Sequence, residues 1–294
     1  MNPTYWYGAN VLAWNPLAML CAPVSAGCAN CWHCQSAARL ATNERFSADE
    51  RAAWAGKGPP VLRMKQLAAP LRRRKRTVIC VQFMGDIFHE SVSTCAASVV
   101  IGMASLCGRH TFLLLTKRPD RLAEFFRSVS LAECQSALYD LPGWSAGTPT
   151  GIGRIGDMSS INGTNDSLDG PDSWPVPNVI IGVSASTQAD VDRLVPQLLA
   201  VPAAKRWLSL EPLLEAIDLS AFVGGPYVGV PLDWVVVGAE TGPGARPMQA
   251  DWARNIRDRC TASGVRFYVK QMDKTGWRPL DGQLWNETLW HRGE

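Results

Sequence analysis

The chain has 294 residues, of which 47% are apolar and 19% are charged, and its formal net charge is +3 at pH 7. These values suit a protein with a sizeable core. The net charge is too small to identify a nucleic-acid partner by itself. No apolar run reaches the length of about 18 residues that a transmembrane helix needs, and the first residues lack the features of a secretory signal. We therefore expect one domain over residues 1–294, located in a reducing cytoplasm and not in a membrane.

Short apolar runs rich in β-branched residues alternate with segments of helical character. The predicted strands are Val11–Leu20, Thr77–Phe83, Thr111–Thr116, Val179–Val183, Arg206–Leu210, Trp234–Val237 and Val265–Val269. The predicted helices are Val92–Cys107, Arg118–Leu131, Gln188–Ala200 and Asp251–Ser263. Such alternation is typical of repeated βαβ units. It predicts an α/β fold with a parallel sheet, either a full or partial TIM-like (β/α) barrel or an open doubly wound sheet.

Residues 141–177 interrupt this alternation. Gly, Pro, Ser, Asn and Asp dominate the segment, which predicts a long irregular insertion. Insertions of this length are usually functional lids or disordered segments.

Polar residues follow each predicted strand. In both sheet architectures ligands bind at the C-terminal edge of the strands, so this succession predicts a site there. The residues concerned are Met84, Gly85, Asp86, His89, Thr116, Lys117, Arg118, Ser184, Ser186, Glu211, Gly238, Glu240, Lys270 and Gln271.

Four of the nine cysteines lie close together, at Cys21, Cys28, Cys31 and Cys34. Thiolates are soft ligands that suit zinc, copper(I) or an iron–sulfur cluster. Structural zinc usually joins two separated cysteine pairs, and here no distant second pair exists. Three cysteines holding a cluster leave one iron open for a substrate or cofactor. The spacing favours such a cluster over a structural zinc site that uses all four cysteines, with or without His33.

A basic stretch precedes the second predicted strand. Seven basic residues and no acidic one occur from Arg63 to Arg76. The stretch is either a phosphate-binding stripe or a solvated helix end, and the sequence leaves both open. Trp54, Trp144 and Trp174 are candidate platforms for stacking on bases, although most tryptophans belong in cores. The candidate nucleic-acid contacts are Arg72, Arg73, Arg74, Lys75 and Arg76.

Several motifs extend over nearly the whole chain, from about Trp14 to Met272. They are WNPLAMLC, VSAGCANCWHC, FMGDIFHE, LLLTKRPDRL, IIGVSAST, LSLEPLL, VVVGAETGPGARPM and FYVKQM, in this order. With them the chain resembles a phage and bacterial three-cysteine protein family that looks like a divergent branch of the radical S-adenosylmethionine (SAM) enzymes. The chain departs from the family pattern where Gly85 replaces a serine and where Ser186-Thr187-Gln188 replaces Glu-Asn-Gln. It also lacks the commonest radical SAM spacing, C-x3-C-x2-C.

The resemblance implies a partial (β/α) barrel of the radical SAM type, with a [4Fe–4S] cluster in the loop after the first strand. The family spacing C-x6-C-x2-C selects Cys21, Cys28 and Cys31 as ligands and places Cys34 on the following helix. The SAM-binding residues it implies are Met84, Gly85, Asp86, Thr116, Lys117, Ser184, Ser186, Glu211 and Gly238. The implied catalytic residues are Glu240, Lys270 and Gln271. Glu240 and Glu211 could instead pair with Arg246 or Lys270.

The implied activity is cleavage of SAM to a 5′-deoxyadenosyl radical, with an external low-potential electron donor. Some phage enzymes that resemble this family act in thymine hypermodification, so we expect rearrangement of an amino-acid-modified thymine in DNA, in the host cytoplasm if the chain is phage-encoded. Two alternatives stay open. One is a radical SAM lyase that repairs pyrimidine lesions, and the other is a non-enzymatic, zinc-stapled DNA-binding protein.

Overall fold

The fold is built on one seven-stranded parallel sheet. The computed structural model describes residues 11–141, 144–145, 148–149, 173–224, 232–276 and 278–290. Neighbouring strands follow one another in chain order, and every pair is parallel. The strands are β1 (Val11–Trp14), β2 (Val78–Val81), β3 (Thr111–Thr116), β4 (Val179–Ala185), β5 (Lys205–Leu210), β6 (Trp234–Gly238) and β7 (Arg266–Gln271).

This strand order decides between the two predicted architectures. A doubly wound sheet reverses its strand order at a switch point, and this sheet has no reversal. The sheet instead curls into a half-barrel, which agrees with a partial (β/α) barrel. The predicted α/β fold with a parallel sheet is confirmed.

Helices connect the strands. They are α1 (Trp32–Ala41), α2 (Ala48–Trp54), α3 (Thr94–Leu106), α4 (Pro119–Ser128), α5 (Leu131–Tyr139), α6 (Gln188–Leu199) and α7 (Ala250–Ala262). Single turns of helix occur at Met64–Leu67, Ala26–Cys28 and Pro70–Arg72. Two-residue strands pair antiparallel, Leu17–Ala18 with Val61–Leu62 and Trp144–Ser145 with Thr148–Pro149. None of the described helices is long and apolar enough to cross a membrane.

Two predicted elements were wrong in extent. The helix predicted over Arg118–Leu131 ends at Ser128, and α5 starts anew after Ser130, whose hydroxyl and the Glu133 carboxylate form a capping box. The strand predicted over Val11–Leu20 stops at Trp14, because the following Asn15-Pro16 cannot continue the ladder: proline has no N–H to donate.

The two faces of the sheet carry different cores, because alternate strand residues point to opposite sides. The helices pack on the convex face, against residues such as Ile79, Leu114 and Val183. The opposite side, which we call the concave face, is filled by Trp207, Trp234 and Tyr268 and by the C-terminal residues Leu289 and Trp290.

Large rings fit on the concave face because β4 offers a glycine there. A Cβ atom added to Gly182 would lie only 2.3 Å from Nε1 of Trp207. The indole of Trp207 therefore crosses β4 at Gly182, and its N–H donates to the Leu114 carbonyl at 3.1 Å. The concave face around Trp207 is thus a packed core. A ligand site on this face therefore lies towards the C-terminal ends of the strands.

Most of the predicted insertion at 141–177 lies outside the described residues. At its end, Trp174 donates its indole N–H to the Val129 carbonyl at 3.0 Å and packs edge-on against Phe126. Trp54 is buried against Phe46, and the side chain of Trp144 lies outside the described residues. Trp54 and Trp174 thus pack within the fold, which corrects their assignment as base-stacking platforms.

Candidate metal and cofactor site

A cavity with about 850 Å³ of empty space, including space open to solvent, lies at the C-terminal edge of the sheet. Its walls come from the ends of five strands and from the segment 21–31, which we call the cysteine loop. The cavity brings together many of the candidate residues: Cys21, Cys28, Cys31, Gly85, Asp86, Thr116, Lys117, Ser184, Glu211 and Lys270.

The cysteine loop turns twice before α1 begins. The Cys28 N–H donates to the Ser25 carbonyl at 3.0 Å, and the Cys31 N–H donates to the Cys28 carbonyl at 3.2 Å. Cys31 is the N-cap of α1, and the thiol of Cys34 is exposed on that helix, as the spacing predicted. The three candidate ligands line the cavity, whereas Cys34 is not part of its lining.

The three thiols have the chemistry that an iron–sulfur cluster needs, and all three line the same cavity. They are soft donors, each partly buried, on one wall of one cavity. Within the described ranges, no three His, Cys, Asp or Glu side chains form a group that could hold a metal ion. To hold a cluster, the three cysteine side chains would therefore have to turn their thiols towards one another.

The environment separates the three thiols by acidity. Burial raises the pKa of Cys21 to about 11, although Arg118 opposes this, and burial also raises the pKa of Cys31. Burial likewise opposes ionisation of Cys28. Hydrogen bonds from the Val24 backbone and the Ser25 hydroxyl, with the charge of Lys117, outweigh it and lower the Cys28 pKa. Since a metal binds the thiolate, Cys28 is the candidate ligand that ionises most readily.

His33, which an alternative zinc site would use, already makes a contact within the loop. Its Nε2 accepts the Cys21 backbone N–H at 3.2 Å, and its Nδ1 has no hydrogen-bond partner among the described residues. Burial lowers the pKa of His33 to about 4, so the ring is neutral at pH 7.

Asp86 connects the turns that follow β2 and β3. Its carboxylate accepts the backbone N–H groups of Phe88 at 2.9 Å and Lys117 at 3.1 Å, and also the Thr116 hydroxyl. Arg118 donates to the same carboxylate at 3.3 Å. Because both oxygens are engaged and the residue is only 4% exposed, Asp86 positions these turns more than it offers a free acceptor to a ligand.

Arg118 extends from this cluster to the cysteine loop. It donates to the Ala22 carbonyl at 3.1 Å and approaches the Cys21 sulfur at 3.7 Å. Lys117 lines the cavity itself, with its ammonium donating to the Ser184 carbonyl at 3.2 Å. Burial lowers the pKa of Lys117, and its charge acts on Cys28 and Cys31. Lys117 therefore places an amino group in the cavity beside the thiols.

Ser186 lies beneath the cysteine loop. A Cβ atom added to Gly27 would stand 2.1 Å from the Ser186 hydroxyl oxygen and 3.3 Å from Pro212. Ser186 is fully buried, and its hydroxyl has no partner among the described residues. Ser186, one of the SAM-binding residues that the resemblance implies, is therefore not part of the cavity lining and packs against the loop.

Glu240 also holds the cysteine loop. Its carboxylate accepts from the Asn30 side chain at 2.9 Å and forms an ion pair with Arg246, which itself donates to the Ala26 carbonyl at 2.9 Å. Hydrogen bonding from Arg246 lowers the pKa of Glu240 to about 2. Glu240 is not part of the cavity lining, so the geometry favours the alternative of an ion pair over a catalytic role.

Glu211 and Lys270 form the second ion pair that the sequence left open, and both line the cavity. Gln271 instead donates to the Ala239 carbonyl at 2.6 Å, and Gly238 faces the side chains of Glu211 and Gln271. Gln271 and Gly238 are outside the lining.

The remaining candidates are not part of the cavity lining. The backbone of Met84 bonds with Asn15 and Gln82. The basic residues Arg72 to Arg76 are exposed and directly precede β2. They are therefore at the N-terminal edge of the sheet, opposite to the cavity. Sequence reasoning missed Asn30, Gly27, Phe83 and Ser209, although the position of the first two between candidate ligand cysteines was a usable signal.

Comparison with known proteins identifies a family. A family model described as "Protein of unknown function (DUF5131)" matches residues 7–289. Neither the curated proteins nor the solved structures contain a match to the chain.

Proposed function

The chain belongs to the DUF5131 family, and from its site we propose that it is a radical SAM enzyme whose Cys21, Cys28 and Cys31 hold a [4Fe–4S] cluster. One observation carries the proposal. The three cysteines of the C-x6-C-x2-C spacing line one cavity at the C-terminal edge of a parallel sheet ordered as in a β/α barrel. When bound, the cluster would supply the electron that cleaves SAM, after reduction by an external low-potential donor.

The side chains around the cavity have roles that follow from their contacts. Lys117 presents an ammonium that can bind a carboxylate such as that of SAM. Arg118 fixes the start of the cysteine loop through the Ala22 carbonyl. Phe83 and Leu115 supply apolar wall that excludes water from the reacting groups.

The proposed substrate is an amino-acid-modified thymine in DNA, which the enzyme isomerises. Its support is the resemblance to phage enzymes of thymine hypermodification. Arg72 to Arg76, at the far edge of the sheet, would attract DNA through their charge without placing the base.

Metal analysis tests the cluster. We expect anaerobically purified wild-type protein to be brown, with about four irons per chain. Cys21→Ala, Cys28→Ala and Cys31→Ala should lose the iron. The matched control Cys34→Ala, in the exposed thiol next to the loop, should keep it. A colourless protein with stoichiometric zinc would refute the proposal and support the zinc-stapled DNA-binding alternative. Loss of iron in Cys34→Ala but not in Cys21→Ala would refute the ligand assignment.

Product analysis tests the activity. The brown protein with dithionite and SAM should form 5′-deoxyadenosine, and a stable cluster without this product would refute the radical mechanism. Mass spectrometry of nucleosides from phage DNA, with and without the gene, then tests the substrate. An unchanged nucleoside profile, together with loss of photoproducts from irradiated DNA, would support the repair lyase instead.

A further inference from the structure

Three aromatic rings form a stack that crosses the concave face and ends at the cavity. Trp234 and Trp207 lie with ring centroids 5.2 Å apart and planes inclined by 26°. Phe83 lies over Trp207 at 6.3 Å with planes inclined by 20°. Both tryptophans are fully buried, whereas Phe83 is half-buried and lines the cavity. The last ring of the stack is therefore part of the cavity wall.

The position of Phe83 depends on an unusual backbone conformation. Cys80 points to the concave face and Val81 to the convex face, so strict alternation would send Phe83 to the helices. Gln82 has a φ of +50°, which breaks the alternation, and its side chain bonds both the N–H and the carbonyl of Leu17. Phe83 consequently packs with the concave core.

Polar groups stand beside this ring. Ser209 and Glu211 follow Trp207 at intervals of two residues, so they share its face of the sheet, and both line the cavity. One oxygen of Glu211 pairs with Lys270, and the other is buried without a hydrogen-bond partner among the described residues. A buried acceptor without a partner costs free energy, which a ligand N–H would recover once the carboxylate turns this oxygen towards the cavity.

We propose that the cavity contains a subsite for a planar, pyrimidine-like ring, which stacks on Phe83 and donates a ring N–H to Glu211. The inference rests on the proposed function, since the cysteine wall of the same cavity would hold the reacting cofactor. Phe83, backed by Trp207, takes the stacking role that Trp54 and Trp174 do not fill. A base in duplex DNA would have to leave the stack to reach it.

A series of three nucleosides tests the subsite in the wild-type protein. Full-length protein, purified anaerobically with its metal, is titrated with thymidine, 5,6-dihydrothymidine and N3-methylthymidine by calorimetry and saturation-transfer NMR. Dihydrothymidine keeps the polar edge but has a puckered ring, and N3-methylthymidine keeps the ring but lacks the N–H. We expect thymidine to bind saturably. Each analogue should bind with an affinity that is lower than that of thymidine by about fivefold or more.

Matched variants locate the binding. Phe83→Leu should weaken the binding of thymidine about fivefold or more, and it should bind thymidine and dihydrothymidine with equal affinity. Phe46→Leu is the control, because Phe46 is also half-buried and also contacts a tryptophan, but lies outside the cavity. It should bind thymidine like the wild type.

The outcomes separate this inference from the proposed function. Equal binding of thymidine and dihydrothymidine, unchanged binding by folded Phe83→Leu, or no thymidine binding at all would overturn the subsite. If iron content and 5′-deoxyadenosine formation persist in that case, the radical SAM proposal stands without it. Should Phe83→Leu not fold, the nucleoside series in wild-type protein still decides.

Discussion

Substitution of Gly27 by alanine tests whether the fold positions the cysteine loop. The new Cβ would be 2.1 Å from the Ser186 hydroxyl oxygen, 3.1 Å from its Cβ and 3.3 Å from Pro212. Gly27 has no left-handed φ, so alanine brings no backbone strain, and the expected cost comes from the contact alone. Overpacking of this kind costs about 1–3 kcal/mol. We expect the loop to shift, which relieves part of the overlap. The variant should therefore be less stable and retain less iron.

Two measurements and two partner variants isolate the effect. The free energy of unfolding comes from denaturant titration, and iron retention is followed against a chelator. Ser186→Gly removes the obstructing side chain, so Gly27→Ala with Ser186→Gly should recover both quantities in part. Gly108→Ala is the control, since nothing lies within 4 Å of its added Cβ and its φ is not left-handed. Wild-type stability and iron retention in Gly27→Ala would refute the packing argument.

Two further predictions concern charged and titratable groups outside the cavity lining. Glu240→Gln, which leaves the Arg246 guanidinium without its carboxylate, should cost about 2 kcal/mol in the free energy of unfolding and speed iron release to a chelator. Unchanged iron release would contradict the role of Glu240 in holding the loop. Burial lowers the pKa of His110 from 6.5 to about 4, so the unfolded chain binds the proton first. The contribution of His110 to stability should fall by about 3 kcal/mol as the pH drops from 6.5 to 4, so His110→Gln should show a total fall that is smaller by about this amount in denaturant titrations.

The strands were predictable because a parallel sheet covered on both faces leaves continuous apolar runs in the sequence. All seven lie within or close to the predicted segments. The division between α4 and α5 had a local signal as well, since Ser130 and Glu133 have the spacing of a capping box. That signal was hidden by the helical periodicity that continues across it.

The cavity-lining residues were predictable only as a group. Strand ends meet at one edge of a parallel sheet, which brought Thr116, Ser184, Glu211 and Lys270 to one place. Which glutamate pairs with which cation depends on distances between loops, and the sequence does not contain them. Phe83 could not be found by alternation, because a left-handed Gln82 reverses it.

The cysteine loop is held by contacts from three different strand ends. Arg118 after β3 binds the Ala22 carbonyl, Ser186 after β4 packs under Gly27, and Arg246 in the loop after β6 binds the Ala26 carbonyl. In small zinc-stapled domains the metal itself supplies the folding free energy. Here the sheet and its two cores place the loop through protein contacts, and the thiols need only turn towards one another. The proposed metal centre would therefore serve chemistry at the cavity, since the chain does not need it as a staple.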